Sequence, residues 1–210
     1  MFNRYFETED GNTDFIYANI AVKNIYFALI SLDYILNNDT IDYSIYHDEH
    51  TFYFFHIQSL LTDCGNISNI FYNSGFNLRN SDQVKARCER LRENLTINKT
   101  DFPLVFLKEV RNTNEHFDER YHEFNGNIGD YNIIDEHTDE NMRRIIFDNP
   151  HLRTYDRSLG IYYTYGRYRR RIEYNFHKLS GELNEMINRI MNNPILNSGW
   201  ADAIPGEVLH

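Results

Sequence analysis

The sequence predicts a mainly α-helical, up-and-down bundle with a small β-rich insertion before its last helix, and three observations carry that expectation. Apolar residues recur at three- and four-residue steps over most of the chain, the pattern of amphipathic helices. Between about Gly129 and Gly166 this gives way to alternating β-branched and aromatic residues, which suit half-buried strands. Helical spacing then resumes and stops at Pro194. The chain has 210 residues, 41% hydrophobic, with Tyr 16 and Phe 15, enough for one aromatic-rich core. One domain over residues 1–193 is expected, with residues 129–166 as a hairpin-bearing insertion and 194–210 as a tail.

Taken in order, Ala18, Ala21, Ile25, Leu29, Leu32 and Leu36 form the stripe of a first helix over residues 14–37. Phe27, Ile30 and Tyr34 add a second apolar flank, which points to burial on two sides, against the core and against a partner chain. A second helix is expected over 47–62 with a shorter continuation over 67–72, interrupted at Gly65. Ser81 and Asp82 read as the cap and charged first turn of a third helix ending near Leu95. Asp101 reads as the cap of a fourth, reaching Phe124, with Pro103 tolerated in its first turn. Strands are expected at 131–134, 144–147, 152–155 and 161–165, the last two flanking a loop with Gly160 where a hairpin wants a positive φ. A final helix over 168–192 aligns Ile172, Phe176, Leu179, Leu183, Ile187 and Ile190.

Charge narrows the function classes. Against 31 Asp and Glu stand 21 Lys and Arg, a net charge of -10, which disfavours a protein that coats long nucleic acid. The acidity is uneven: residues 81–100 carry five basic and three acidic side chains, and 151–193 carry eight and four. A local basic cleft for a short or single strand is therefore compatible with the composition. Cys64 and Cys88 have neither a disulfide framework nor a zinc spacing. The first ten residues lack the basic start and apolar stretch of a signal peptide, and no apolar run approaches the roughly 18–20 residues of a membrane span. A cytoplasmic protein with no membrane partner is the expectation.

One stretch carries chemistry: Arg111-Asn112-Thr113-Asn114-Glu115-His116. On a helix Asn112 and His116 share a face, with Glu115 and Glu119 beside them, and Arg111 lies roughly 140° round from His116 with a side chain long enough to swing toward it. An imidazole exchanges protons near neutral pH. A guanidinium holds a phosphate bidentately and stabilises charge growing on its oxygens. With the 2′-hydroxyl of RNA as nucleophile, such a set handles phosphodiesters without a metal or other cofactor. The bland alternative is a solvated helix face with an ordinary Arg111–Glu115 pair.

The R-N-x-x-x-H string, placed in the fourth helix of a bundle, resembles the ribonuclease motif of the HEPN superfamily, in which an arginine is followed by four to six residues and then a histidine. The residue after the family's arginine is typically polar and often Asn, as Asn112 is. The stretch from Val110 to Arg120 is also similar to uncharacterised bacterial HEPN-like, abortive-infection-type proteins. The resemblance implies a homodimer whose motifs face each other across a cleft and a metal-independent endoribonuclease with a toxin or phage-defence role. It implies that Arg111 and His116 are catalytic and that Asn112 orients or binds phosphate, with an antitoxin or regulatory protein as a further partner. The insertion lies outside the family's minimal pattern. A non-catalytic HEPN-like module that binds a nucleotide or a partner protein stays open, as does a purely structural dimerising bundle.

Arg167, Arg169, Arg170 and Arg171 are expected to open the last helix, where four cations oppose the helix dipole and invite an anionic partner. Glu115, Arg167, Arg169 and Arg170 are the candidate substrate-binding residues, and Tyr165 and Tyr168 among them could stack on unpaired bases. His47, His50 and His56 lack a metal-site arrangement, and no phosphate-cradling glycine loop or nucleophile elbow occurs.

Overall fold

The computed structural model describes residues 9–37, 41–42, 44–72, 81–116, 119, 122–123, 129–134, 138, 140–141, 143–144 and 151–193. Helices α1 (Glu9–Asn37), α2 (Glu49–Tyr72), α3 (Ser81–Leu95) and the short α4 (Lys108–Glu115) lead into strands β1 (Gly129–Ile134), β2 (His151–Asp156), β3 (Ile161–Tyr165) and β4 (Arg171–Asn175). Helix α5 (Phe176–Met191) follows. The protein is mainly α, with a four-stranded mixed sheet before its last helix.

Helix α1 is the spine. Its buried stripe includes three alanines, Ala18, Ala21 and Ala28, which let α2 and α5 approach closely. The α1–α2 pair is antiparallel: Asn66 donates to Asn24 at 3.0 Å at one end, and Tyr34 stacks on His56, centroids 4.6 Å apart, at the other. Arg90 of α3 grips the buried Asp14 carboxylate through two hydrogen bonds of 3.1 and 3.0 Å. The second apolar flank of α1 is open in the single chain: Phe27, Ile30 and Tyr34 are exposed. Over Thr13–Asn37 this helix is long and apolar enough, by length and composition, to cross a membrane. The run-length reading overlooks this because scattered Asn, Asp and Lys residues interrupt every apolar run without much lowering the average. In this fold the helix packs its buried stripe against α2 and α5.

The sheet order is β1-β2-β3-β4, parallel between β1 and β2 and antiparallel elsewhere. Register places Tyr155, Tyr162 and Tyr174 side by side across β2, β3 and β4, an aromatic row facing the helices. Phe176, the first residue of α5, closes this row with its ring stacked on Tyr162 at 6.1 Å. The Tyr155 hydroxyl donates to the Ile35 carbonyl of α1 at 3.2 Å. Each such ring contributes on the order of 1.5–3 kcal/mol by burial. Gly160 sits in the β2–β3 turn at φ 61, the left-handed value the hairpin reading asks for.

Several expectations need correction. The last helix does not begin at residue 168. Residues 167–169 form a tight turn, Arg171–Asn175 is a strand, and the helix starts at Phe176 with Asn175 as its cap, accepting from the Lys178 amide at 2.9 Å. Ile172 suits both patterns, and strand pairing with Thr164 decides for β. The fourth helix is eight residues long rather than reaching back to Asp101, because residues 101–107 wind through turns. The α2 helix continues through Gly65, and α1 begins at Glu9. Of the strand expected at 144–147 only Arg144 lies within the described residues, where it is helical. Phe124, the acidic stretch at 135–137 and the tail 194–210 lie outside them.

Candidate functional site

Helix α4 is short because its anchoring comes from outside. Val110 and Thr113, three residues apart, are buried, and Thr113 Oγ1 donates back to the Glu109 carbonyl at 2.8 Å. The turns leading into it are held from behind. Glu182 of α5 accepts from the Leu104 and Val105 amides at 2.9 and 3.1 Å, and the Tyr174 hydroxyl donates to the Leu104 carbonyl at 2.9 Å. Burial raises the Glu182 pKa while those two amides pull it back. Asp101, expected as a cap, instead pairs with Arg189 at 2.7 Å. Leu107 at the N-terminus gives the first-turn amides no side-chain cap, and Glu109 places a carboxylate in that turn.

The motif is distributed along this helix as its spacing dictates. Asn112 and His116 are exposed on one side, and the His116 amide donates to the Asn112 carbonyl at 3.1 Å, closing the helix. The His116 imidazole lies 3.5 Å from the Glu119 carboxylate. Arg111 points elsewhere. Its side chain is half-buried and lies across α2 at Gly65, where a Cβ would stand 2.5 Å from Cδ and 2.8 Å from Nε and Nη1. Within one chain, therefore, the guanidinium and the imidazole address different neighbours. The side chains of Glu115 and Arg167 lie outside the described residues.

The arginine turn adjoins α4 rather than opening a helix. β3 packs beside α4, and the connection from β3 to β4 holds Tyr168 and Arg169 in the left-handed region, at φ 60 and 58. Arg170 hydrogen-bonds the Glu109 carboxylate of α4, and Arg169 donates to the Glu123 carbonyl at 2.7 Å. Tyr168 projects into solvent, 94% exposed. Sequence reasoning thus found Arg169 and Arg170 but not that Glu109 would engage one of them.

Groups that the motif does not include gather at Arg111. Gly65, Ser68, Lys108, Arg111 and Tyr174 line a narrow crevice between α2 and the first turn of α4. The Lys108 pKa is lowered, first by burial and then by the neighbouring Lys99 and Arg111 cations. The i,i+3 spacing of Lys108 and Arg111 was legible in the sequence; Ser68, on a different helix, carries no motif. Cys64 also lines the crevice, but burial pushes its thiol up to about 12, so it is no nucleophile near neutral pH. His56 is buried with Tyr46 Oη 3.2 Å from its Nε2, and burial lowers its pKa. Among the described residues no group of three or more His, Cys, Asp or Glu could hold a metal ion. No family model, curated protein or solved structure matches the chain.

Proposed function

We propose that the protein is a metal-independent endoribonuclease of HEPN type, acting as a homodimer on short or single-stranded RNA in a toxin or phage-defence setting. The observation that carries this reading is the arrangement on α4. An exposed imidazole and amide share one side of the helix, and a guanidinium one turn away sits among further cations. In this mechanism His116 moves the proton of the attacking 2′-hydroxyl, Arg111 stabilises charge on the phosphorane oxygens, and Asn112 holds a phosphate oxygen or the imidazole. Because Arg111 and His116 of one chain address different neighbours, the proposed site draws them from two copies facing each other.

The test is RNA cleavage in EDTA by the wild-type protein and His116→Ala. Products ending in a 2′,3′-cyclic phosphate and a 5′-hydroxyl are expected, with a loss on the order of 10²–10⁴-fold in the variant. Cleavage that survives the substitution, or vanishes with chelator, removes the mechanism. A second reading rests on the side chain of Arg111, which lies against α2 rather than beside His116. It is a non-catalytic module whose α4 face binds a nucleotide or a partner protein, and RNA binding without cleavage at any enzyme concentration would select it.

A further inference from the structure

We propose that the exposed face of α1 docks a second copy of this chain, the two helices antiparallel, with the Lys23 ammonium of each copy meeting the Asp63 carboxylate of the other. The inference goes beyond the ribonuclease reading and does not rest on it.

Ile16, Ile20, Lys23, Phe27, Ile30 and Tyr34 follow one another at steps of four, three, four, three and four residues. At 100° per residue all six fall within about 80° of one another, a seam about 27 Å long with coiled-coil spacing. All six are exposed, and Ile16, Phe27 and Ile30 keep more than half of their surface open. The seam is self-complementary. A two-fold axis crossing α1 at residue 25 sets Ile16 opposite the partner's Tyr34, Ile20 opposite the partner's Ile30, and Lys23 opposite the partner's Phe27.

Asp63 decides the occupant. Asn24 meets Asn66 and Tyr34 meets His56, so position 63 of α2 lies level with position 27 of α1. Phe27 and Asp63 line the same groove, about 580 Å³ of open space between the two helices. The partner's Lys23, set opposite Phe27, therefore arrives at the Asp63 carboxylate, and symmetry forms the pair twice. Among the described residues neither charge has an ion-pair partner: Lys23 is solvated, and burial raises the Asp63 pKa with no cation beside it to lower it. A parallel pairing would set Lys23 against the partner's Lys23 instead. Over Thr13–Asn37 the helix has the length and composition of a membrane span, but a lipid surface on this face would desolvate both charges without joining them. The face is also separate from the motif helix. Asp63 and Gly65 point about 160° apart on α2, and it is Gly65 that faces Arg111, so copies joined through α1 leave both α4 helices open.

The test is sedimentation equilibrium of the full-length chain over micromolar concentrations, with circular dichroism melts showing that each variant folds. The wild type should reach a monomer–dimer equilibrium. Lys23→Glu and Asp63→Lys should each weaken the dimer about tenfold or more, and the double variant should return it to within about threefold of the wild type. Phe27→Ala should weaken it about thirtyfold. Orientation is read by oxidising Ile20→Cys and Ile30→Cys proteins, the native Cys64 and Cys88 being buried. The mixture should cross-link and neither variant alone should. A wild-type chain that stays monomeric, a dimer indifferent to these substitutions, charge reversals that the double variant does not rescue, or cross-linking of each variant with itself overturns the proposal. A monomer that pellets with phosphatidylcholine vesicles, and no longer does so as Phe27→Ala, overturns it as well and assigns the face to lipid.

Discussion

Gly65 on α2 makes room for Arg111 on α4: the arginine's Cδ, Nε and Nη1 occupy the space a Cβ at position 65 would enter, at 2.5, 2.8 and 2.8 Å. A glycine inside a helix costs roughly 0.5–1 kcal/mol relative to alanine, so on helix propensity alone alanine would be preferred here. The atoms in the way belong to the outer part of a flexible side chain, which can move aside at little cost. Gly65→Ala should therefore leave stability unchanged or raise it by up to about 1 kcal/mol in urea unfolding. RNA cleavage should fall more than tenfold, because the guanidinium is displaced from its place. Wild-type cleavage in this variant would show that the seat of Arg111 against α2 has no part in activity.

The Arg170–Glu109 pair sets a second expectation. Arg170 is counted among the substrate-binding candidates, yet its charge is already met by a carboxylate on the motif helix. Both side chains are solvent-accessible enough that the pair contributes only about 0–1 kcal/mol to stability. Glu109→Gln removes that carboxylate charge and releases Arg170 toward an external anion. Affinity for single-stranded RNA should rise, with a steeper salt dependence, while the urea midpoint shifts little. A drop in affinity would mean that Glu109 positions Arg170 for the strand rather than competing with it.

Tyr168 bears on how unpaired bases could be held. A tyrosine and an arginine in succession at positive φ are uncommon for residues with side chains, and such conformations cost of order 1 kcal/mol or more each. The ring itself is solvated and sits between Arg167 and Arg169. Base stacking on an aromatic ring typically contributes about 1–3 kcal/mol per base. Tyr168→Ala should weaken RNA binding by a comparable amount while leaving the circular dichroism melt unchanged, since no core packing is lost. Tyr168→Phe should bind like the wild type, because stacking uses the ring and not the hydroxyl.

What the sequence made legible follows from which forces are local. Periodicity located α1 and the β2–β3 hairpin because burial repeats with the period of the element, Ser81 and Asp82 marked the start of α3, and Gly160 marked the turn because its φ of 61 is a local requirement. The α5 boundary was not legible. Ile172 and Phe176 fit a helical stripe, and only pairing of β4 with β3, through Ile172 and Thr164 or Tyr174 and Tyr162, assigns residues 171–175 to the sheet. Gly65 reads as a breaker until Arg111, from another helix, is seen lying over it. The same holds for the site. Asn112 and His116 on one helix side follow from spacing alone, whereas Ser68 and Lys99 join Lys108 only through tertiary packing.

Asp63 offers a test of the α1–α2 groove, independent of any nucleic acid. It lines that groove with Phe27, Ile30 and Phe55, and burial there raises its pKa from 3.8 to about 6. A carboxyl whose pKa is higher in the folded than in the unfolded chain binds protons more tightly when folded. Its contribution therefore turns unfavourable as pH rises from about 4 to 6 and stays at its full cost above that window. Asp63→Asn removes the cost without changing the side chain's size. In urea unfolding of the dilute, monomeric chain the variant should be more stable than the wild type at pH 7 and nearly indistinguishable from it at about pH 3, below the unfolded value of 3.8, with the difference developing between those values. An equal gain at both pH values would point to packing rather than charge. No gain at pH 7 would mean that Asp63 is paired in solution and its charge already compensated.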